Sequence, residues 1–477
     1  MKFLSPVVPL AVLPLLVQAH AGKYAHHNVI PRQASATGSD IAPPSQIPDS
    51  AGAAPSTDSF VLSLTSINPT ALPLSAIVST AQPAPTQEVS PIYPQGAVPP
   101  NIIGAPPLPD DILQKDYPTP DDVPPVNSAE VEEWIREVAN SGVPIPDIPI
   151  NLEGGCTVAG NAVAAADTDR SRCWWTCTGC TRKTDITQCP QKGTFGLSFD
   201  DGPAPYTPDL LDFLDQQKLK ATFFVVGSRV YYRPDLLRKQ YMEGHQIAVH
   251  TWSHPELTTL TNEQIIAELG WSRRVIQDTL GVTPNMMRPP YGDIDDRVRA
   301  ISVAMGLTPV IWTQGFDTED FEIGSGGTTV QQSLQNWERI TAAASTSDKG
   351  FIVLEHDLFQ QTVELATGYI LPDAIGHNYT IQPIVTCMGL PLNDAYMETN
   401  NNQTHPDPAQ GAQAIFTGPT KALLPPTHTP ASASGPGTST SPSNNVNKKN
   451  SNSARAVFSV LGMGATSLLA GLISILA

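Results

Sequence analysis

The sequence predicts an α/β fold whose central sheet closes into a barrel. Between residues 192 and 386, short apolar runs typical of strands alternate with amphipathic patterns typical of helices. Such alternation favours parallel strands joined by crossover helices. The region contains roughly seven strand–helix units, close to the number with which a parallel sheet closes into a barrel. A domain of roughly 200 residues is also large enough to bury its own core.

The individual elements follow from residue type and spacing. Strands are predicted at Leu197, 221–226, 247–249, 286–288, 309–312, 351–354 and 381–385. Helices are predicted at 208–217, 262–280, 296–305 and 330–345, where apolar residues recur at helical spacing. A short helix is also predicted at 128–138, because Ser128 precedes an acidic first turn and the apolar residues that follow fall on one face.

Composition divides the 477-residue chain into regions. Residues 1–21 carry a basic Lys2, an apolar run and small residues near Ala21, a pattern typical of a cleaved signal peptide. Residues 22–149 are rich in Pro and Ser and are predicted to be extended and disordered. Residues 150–390 are the predicted globular domain. A Ser/Thr/Pro-rich stalk follows at 391–453.

Residues 454–477 contain one basic residue, Arg455, followed by an apolar tail at 456–477 that has no basic segment after it. Small polar residues and the stalk precede it, which is typical of a GPI-attachment signal that is removed in the mature protein. A single membrane-spanning helix is the alternative. The signal peptide and the tail together predict a secreted protein that a GPI lipid anchor holds at the cell surface, on the plasma membrane or in the cell wall.

The charge balance excludes one class of partner. The formal net charge is −18 at pH 7, and binding to nucleic acid phosphates needs a basic surface. We therefore expect no nucleic acid partner. An acidic exterior is compatible with a neutral polysaccharide as the partner. We also expect the chain to be a monomer.

All six cysteines lie between residues 156 and 387. An even number in a secreted chain favours three disulfides, whose pairing the sequence leaves open. The disulfide candidates are Cys156, Cys173, Cys177, Cys180, Cys189 and Cys387. A zinc knuckle formed by the four middle cysteines is the alternative. Asn378 and Asn402 begin Asn-x-Thr triplets and are predicted N-glycosylation sites.

Two segments point to a metal-dependent reaction. Asp200 and Asp201 follow the apolar run 193–199, where the carboxyl ends of strands carry functional groups in α/β proteins. His250 and His254 are spaced by one helical turn, so that both imidazoles can face one ion. With one carboxylate they would form a three-ligand site that leaves a coordination position open, as catalytic sites do. A solvated turn and an incidental histidine pair are the alternatives.

Three further polar segments follow strand-like runs at 288–292, 317–321 and 354–356. In this order the five segments resemble the motifs of the NodB-like polysaccharide deacetylases (carbohydrate esterase family 4), and within them the fungal chitin deacetylases. Arg288 to Gly292 matches the third motif without change. The fourth motif departs, because Asp320 is followed by Phe321 where the family usually has Trp. The resemblance covers roughly residues 190–390 and implies an irregular (β/α) barrel of the NodB-homology type.

The resemblance also implies a role for each motif residue. Asp201, His250 and His254 would bind a divalent metal, for which Zn²⁺ and Co²⁺ are both suitable. Asp200 would be the general base, held by Arg288. His356 would be the general acid, oriented by Asp320. Tyr291 would stabilise the oxyanion through its backbone N–H, and Leu354 and Phe321 would line the pocket for the acetyl methyl group.

The function implied by the resemblance is metal-dependent removal of N-acetyl groups from chitin and chitin oligomers in the cell wall. This reaction gives chitosan and acetate. A deacetylase acting on another polysaccharide, such as xylan or peptidoglycan, is one alternative. An inactive barrel that only binds cell-wall polysaccharide is another, although the catalytic residues are all present.

Overall fold

Short parallel strands form the centre of the structure. The computed structural model describes residues 62–77, 89–167, 170–400, 415–416 and 419–423. Their strands are β1 (Thr194–Gly196), β2 (Ser198–Asp200), β3 (Thr222–Val225), β4 (Gln246–Val249), β5 (Met286–Met287), β6 (Thr308–Pro309), β7 (Phe351–Ile352) and β8 (Thr380–Gln382). The residues of β1 to β5 are all buried, which explains their nearly continuous apolar runs.

The strands pair in a circuit that closes as an irregular barrel. One sheet has the order β2-β3-β4-β5-β6 and the other the order β7-β1-β8, with every pair parallel. Leu197 alone separates β1 from β2, so both sheets share this chain segment. After β6, Asp317 bridges to Leu354, and His356 bridges back to Asp200 at the end of β2. The predicted barrel is therefore confirmed.

Helices surround the strands. In the described residues they are α1 (Ala129–Asn140), α2 (Ala162–Ala166), α3 (Trp175–Thr178), α4 (Thr207–Gln217), α5 (Gly227–Tyr232), α6 (Pro234–Met242), α7 (Asn262–Leu280), α8 (Asp296–Ala304), α9 (Val330–Thr346), α10 (Gln360–Leu365), α11 (Leu371–Gly376) and α12 (Ile384–Cys387). Helix α7 begins with a Thr261–Gln264 capping box and ends at Gly281, whose φ of 80° suits a residue without Cβ. The predicted helices correspond to α1, α4, α7, α8 and α9.

Two predictions about local structure are wrong. The run 381–385 is a strand only as far as Gln382, because Pro383 ends the ladder and is the N-cap of α12. The segment from His250 to His254 is a loop rather than a helical turn. Thr251 and His254 both have left-handed backbone angles (φ 65° and 62°), which are incompatible with a right-handed helix.

The Pro-rich segment ahead of the barrel is ordered where the structure describes it. Helix α1 buries Val131, Ile135 and Val138, and it packs against α7. Ile102 and Leu108 are also buried, at 2% exposure each. The prediction of a disordered segment is therefore wrong for 89–149. Regular secondary structure is sparse there because the prolines lack a backbone donor, yet the apolar side chains between them cover the barrel.

The folded region also continues past residue 390. Tyr396 is fully buried, and its hydroxyl accepts a hydrogen bond from the Ile247 N–H at 3.0 Å. The Ala395 carbonyl accepts another from the Asn285 N–H at 3.1 Å. Residues 391–400 therefore pack against the base of the barrel, whereas the sequence assigned them to the stalk.

Three disulfides join all six cysteines. Cys156 pairs with Cys177, Cys173 with Cys180, and Cys189 with Cys387. The prediction of three disulfides is confirmed, and the pairing excludes a zinc knuckle. The Cys189–Cys387 bond spans 198 residues and links the start of the barrel to its end.

Several predicted segments lie outside the described residues: the signal peptide, the GPI signal, Asn402 and most of the stalk. Asn378 is described, and it is exposed in a turn with φ 58°. Across the described ranges, the helices are all too short or too polar to cross a membrane.

Candidate functional site

The residues singled out in the sequence converge at the carboxyl ends of the strands. Asp200 ends β2, His250 directly follows β4, and Arg288 directly follows β5. Leu354 and His356 lie just beyond β7. Because parallel strands all end at one face of the barrel, residues that are far apart in sequence meet there.

Asp201, His250 and His254 form a candidate metal centre. One ligand atom from each lies within 4.8 Å of the others. Asp201 Oδ1 lies 3.3 Å from His250 Nε2 and 3.1 Å from His254 Nε2. This oxygen is buried, and the described residues donate no well-formed hydrogen bond to it. An orphaned carboxylate oxygen facing two imidazole nitrogens fits a divalent ion, because carboxylate and imidazole are common ligands of such ions.

The protonation states of this centre also suit a metal. Burial raises the pKa of Asp201, but the proximity of His254 and His250 outweighs it and lowers that pKa well below its ordinary value. Burial lowers the pKa of His254, with Asp201 opposing in part. At neutral pH the carboxylate is therefore ionised and the His254 imidazole is neutral, which are the forms that bind a metal.

A backbone contact orients the first histidine. His250 Nδ1 lies 2.8 Å from the carbonyl oxygen of Arg288. A carbonyl can only accept, so Nδ1 carries the hydrogen and Nε2 keeps its lone pair toward Asp201 and His254. Hydrogen bonds of this kind fix the tautomer and ring orientation of histidines that bind metals.

Asp200 and Arg288 form a buried ion pair beside this centre. Arg288 Nη1 donates to Asp200 Oδ1 at 2.7 Å, and the guanidinium carbon lies 4.0 Å from the centre of the Phe224 ring. The other oxygen, Asp200 Oδ2, lies 3.9 Å from His250 Nε2. One oxygen is therefore anchored by the arginine while the other faces the metal centre.

His356 and Asp320 form a second buried pair, and His356 is the backbone bridge partner of Asp200. The His356 backbone N–H donates to Asp320 Oδ2 at 3.0 Å, and Nδ1 donates to Oδ1 at 2.7 Å. Burial lowers the pKa of His356, but the Asp320 carboxylate outweighs burial and raises it to about 10. The imidazole is therefore protonated at neutral pH, with Nε2 available as a proton donor.

The three residues expected around the substrate lie at the same end of the barrel. The Tyr291 ring lies 4.7 Å from that of His254, and its backbone is left-handed at φ 58°. The Phe321 ring lies 5.3 Å from that of His356. Leu354 is buried at 6% exposure, and Tyr291 is 38% exposed. The structure thus brings all ten predicted metal, catalytic and substrate residues to one end of the barrel.

Two residues that support the site were missed by sequence reasoning. Glu268, fully buried on α7, accepts hydrogen bonds from the backbone N–H groups of Trp252 and Ser253 at 2.8 and 2.9 Å. Tyr117 stacks on Trp252 with ring centres 6.1 Å apart. A charged residue among the apolar residues of α7 is a signal that could have identified Glu268. The sequence holds no comparable signal for Tyr117.

The chain is similar in sequence to several known proteins. Residues 187–310 match the family model described as polysaccharide deacetylase. The chain is 48% identical over 381 residues to chitin deacetylase 1 of Cryptococcus neoformans, covering 76% of this chain and 79% of that one. It is 40% identical over 238 residues to a chitin deacetylase of Amylomyces rouxii, covering 48% and 56%. The solved chitin deacetylase of Colletotrichum lindemuthianum is 28% identical, with a TM-score of 0.42, covering 46% and 96%.

Proposed function

This chain belongs to the polysaccharide deacetylase family, and from that premise we propose that it removes N-acetyl groups from chitin and chitin oligomers in the cell wall. The products are acetate and a free amine on the polymer, which becomes chitosan. One observation carries the proposal. A candidate three-ligand metal centre, a buried carboxylate–arginine pair and a buried histidine–carboxylate pair lie at one end of the barrel, and together they can supply the metal, the base and the acid of a metal-dependent amide hydrolysis.

Hydrolysis adds the oxygen of water to the acetyl carbon and breaks the C–N bond. Asp200 takes a proton from the attacking water, because its Oδ2 faces the metal centre while Arg288 holds Oδ1 at 2.7 Å. His356 gives a proton to the departing nitrogen. Asp320 keeps the imidazole charged and oriented through the bond to Nδ1. The two proton transfers are thereby assigned to two different groups, Asp200 and His356.

Asp201, His250 and His254 would hold the divalent ion, with Zn²⁺ and Co²⁺ as the proposed cofactors. A bound ion polarises the amide carbonyl and lowers the pKa of water at the site to about 7. The ligand set of one carboxylate and two imidazoles suits both ions. The orphaned Oδ1 atom of Asp201 supports this assignment.

The acetyl group would lie between Tyr291, Leu354 and Phe321. The backbone N–H of Tyr291 would donate to the oxygen that becomes negatively charged, a contact typically worth about 3 kcal/mol of the barrier. Leu354 and Phe321 would enclose the methyl group. The left-handed backbone at Tyr291 supports a functional role, because such strain is costly outside glycine and clusters at active sites.

Chitin is proposed over xylan and peptidoglycan because two of the most similar relatives are named chitin deacetylases. The test measures acetate release from chitin oligomers, acetyl-xylan and peptidoglycan, each with metal-loaded and chelated enzyme. We expect release from chitin oligomers that chelation abolishes and Zn²⁺ or Co²⁺ restores. Faster release from another polymer would replace chitin as the substrate. Release from none would favour a protein that only binds polysaccharide.

The proposed location is the cell surface. We propose that the signal peptide directs secretion, that the tail is exchanged for a GPI lipid anchor, and that the mature protein is a monomer. Three disulfides support an oxidising route, since such bonds persist mainly outside the cytosol. The exposed Asn378 supports N-glycosylation on the same route.

A further inference from the structure

Trp252 lies between the two metal-ligand histidines in the chain, yet it is fully buried. Its side chain is therefore unavailable to a substrate. The loop from His250 to His254 also contains two residues with left-handed backbone angles, Thr251 and His254. Neither is glycine, so this conformation costs free energy and persists only where surrounding contacts hold it.

The side chain of Trp252 is held from outside the barrel. Tyr117 stacks on its indole with planes 10° apart. The indole N–H donates to the Thr119 carbonyl at 3.1 Å. Both contacts come from residues 117–121 of the Pro-rich segment, here called the clamp segment. The ring separation of 6.1 Å is within the range of favourable aromatic pairs.

The backbone of Trp252 is held by the same segment through one intermediary. The Trp252 carbonyl accepts hydrogen bonds from the N–H and the hydroxyl of Ser228, at 3.0 and 2.6 Å. The Ser228 hydroxyl oxygen in turn accepts one from the Asp121 N–H at 2.8 Å. Ser228 is fully buried, so these bonds are shielded from water.

The clamp segment is itself fixed to the barrel. The Tyr117 hydroxyl donates to Asp278 Oδ2 on α7 at 2.7 Å. Asp121 Oδ1 lies 3.6 Å from Arg229 Nη1 on α5. From α7, Glu268 accepts hydrogen bonds from the Trp252 and Ser253 N–H groups. The loop is thus held between α7 and the clamp segment.

We propose that the clamp segment positions the metal ligands, with the Tyr117 ring and, as its intermediary on α5, Ser228 as the positioning residues. A segment outside the barrel strands and their connections then sets the affinity of the metal centre. This inference rests on the metal site proposed above. It assigns to part of 22–149 a role beyond linking the signal peptide to the barrel.

The test compares Zn²⁺ affinity by competition with a chromophoric chelator, using full-length variants. Tyr117→Leu keeps apolar volume but loses the flat ring, and Ser228→Ala removes the second link. We expect each to weaken Zn²⁺ binding about 10- to 100-fold, the range typical when a group that orients a metal ligand is lost. At saturating Zn²⁺ we expect the KM for chitin oligomers to stay unchanged.

Two controls separate positioning from general stability. Tyr117→Phe keeps the stacked ring and loses only the bond to Asp278, so Zn²⁺ affinity should remain within about threefold of wild type. Ile135→Ala leaves a cavity beneath α1, a helix that lies outside the clamp segment and packs on α7. It should lower Tm in the metal-free protein as much as Tyr117→Leu does, without weakening Zn²⁺ binding.

Wild-type affinity in both Tyr117→Leu and Ser228→Ala would overturn the inference. So would equal weakening by Tyr117→Phe or Ile135→Ala. If Tyr117→Leu does not fold, Ser228→Ala alone decides between the outcomes. Failure of the wild-type protein to bind Zn²⁺ would overturn the proposed metal site and this inference together, whereas unaffected variants of a zinc-binding wild type overturn this inference alone.

Discussion

Arg288 Nη1 lies 2.7 Å from Asp200 Oδ1 in an ion pair whose side chains are 0% and 2% exposed. Burial lowers the pKa of Arg288, and Asp200 opposes this in part. A charge in such a place is tolerated only while its partner remains. The pair therefore links the stability of the barrel to the position of the proposed base.

Replacing Arg288 should destabilise the protein more than replacing both partners. We expect Arg288→Met to lower the free energy of unfolding by about 3–5 kcal/mol, because it leaves the Asp200 carboxylate buried and unpaired. Asp200→Asn combined with Arg288→Met should recover part of this loss. Chemical denaturation of the two single variants and the double variant measures the coupling, and purely additive effects would contradict it.

Variants of the proposed base and variants of the proposed metal ligands should differ in how much metal they bind. Asp200→Asn should lose activity by about 100- to 10,000-fold, as expected for a general base, and should retain stoichiometric metal. His254→Ala should lose both metal and activity, because its Nε2 lies 3.1 Å from Asp201 Oδ1 within the metal centre.

Metal analysis and acetate release on the same preparations check this separation. His377→Ala is the matched control, since this half-exposed histidine pairs with Asp373 outside the site. It should retain both properties. The roles of base and ligand would be reversed if Asp200→Asn lost metal while His254→Ala kept it.

Asp320→Asn should shift the pH dependence of turnover. The folded-state pKa of His356 is raised to about 10, so the protonated imidazole is present at neutral pH and is lost only as pH rises through that value. Without the Asp320 charge, burial opposes only the weaker effects of Asp201 and Asp200, so we expect the pKa of His356 to fall. The alkaline limb of the kcat profile should therefore move to lower pH.

An NMR titration of His356 in the metal-free protein measures the fall in its pKa directly. Glu322→Gln is the control, because Glu322 lies on the same 3-10 turn as Asp320 (Asp320–Ile323), and burial and Glu319 raise its own pKa. This variant should leave the alkaline limb of the kcat profile at the pH of the wild type. An unchanged alkaline limb in Asp320→Asn would remove Asp320 from its proposed role.

The site was predictable because each motif is contiguous in sequence. Asp200 with Asp201, and His250 with His254, lie within a few residues of each other at strand ends, so residue type and order sufficed to place them. The physical reason given for the histidines was nonetheless wrong. Thr251 and His254 have left-handed backbone angles, which cannot be read from the spacing of residues in the sequence. A loop, and not a helical turn, therefore brings the two imidazoles together.

The contacts that hold this loop could not be predicted in the same way. Trp252 is hydrogen-bonded to Thr119, which is 133 residues away in the sequence, and to Glu268, which is 16 residues away. Which side chain of the Pro-rich segment contacts which helix depends on the folded barrel and not on the local sequence. Helices α5 and α6 were not predicted for a related reason, because Arg233 and Pro234 interrupt the apolar spacing between them.

The proposed GPI anchor makes a prediction about location that is independent of catalysis. The tail at 454–477 is apolar and follows small polar residues and a Ser/Thr/Pro-rich stretch, so we expect it to be exchanged for a glycolipid. A phosphatidylinositol-specific phospholipase should then release active enzyme from membranes. Truncation before Asn444 should send the protein into the medium with unchanged turnover, because the described barrel ends well before this point. Peptides from 456–477 in mature protein purified from membranes would contradict the anchor, since a retained tail indicates a membrane-spanning helix.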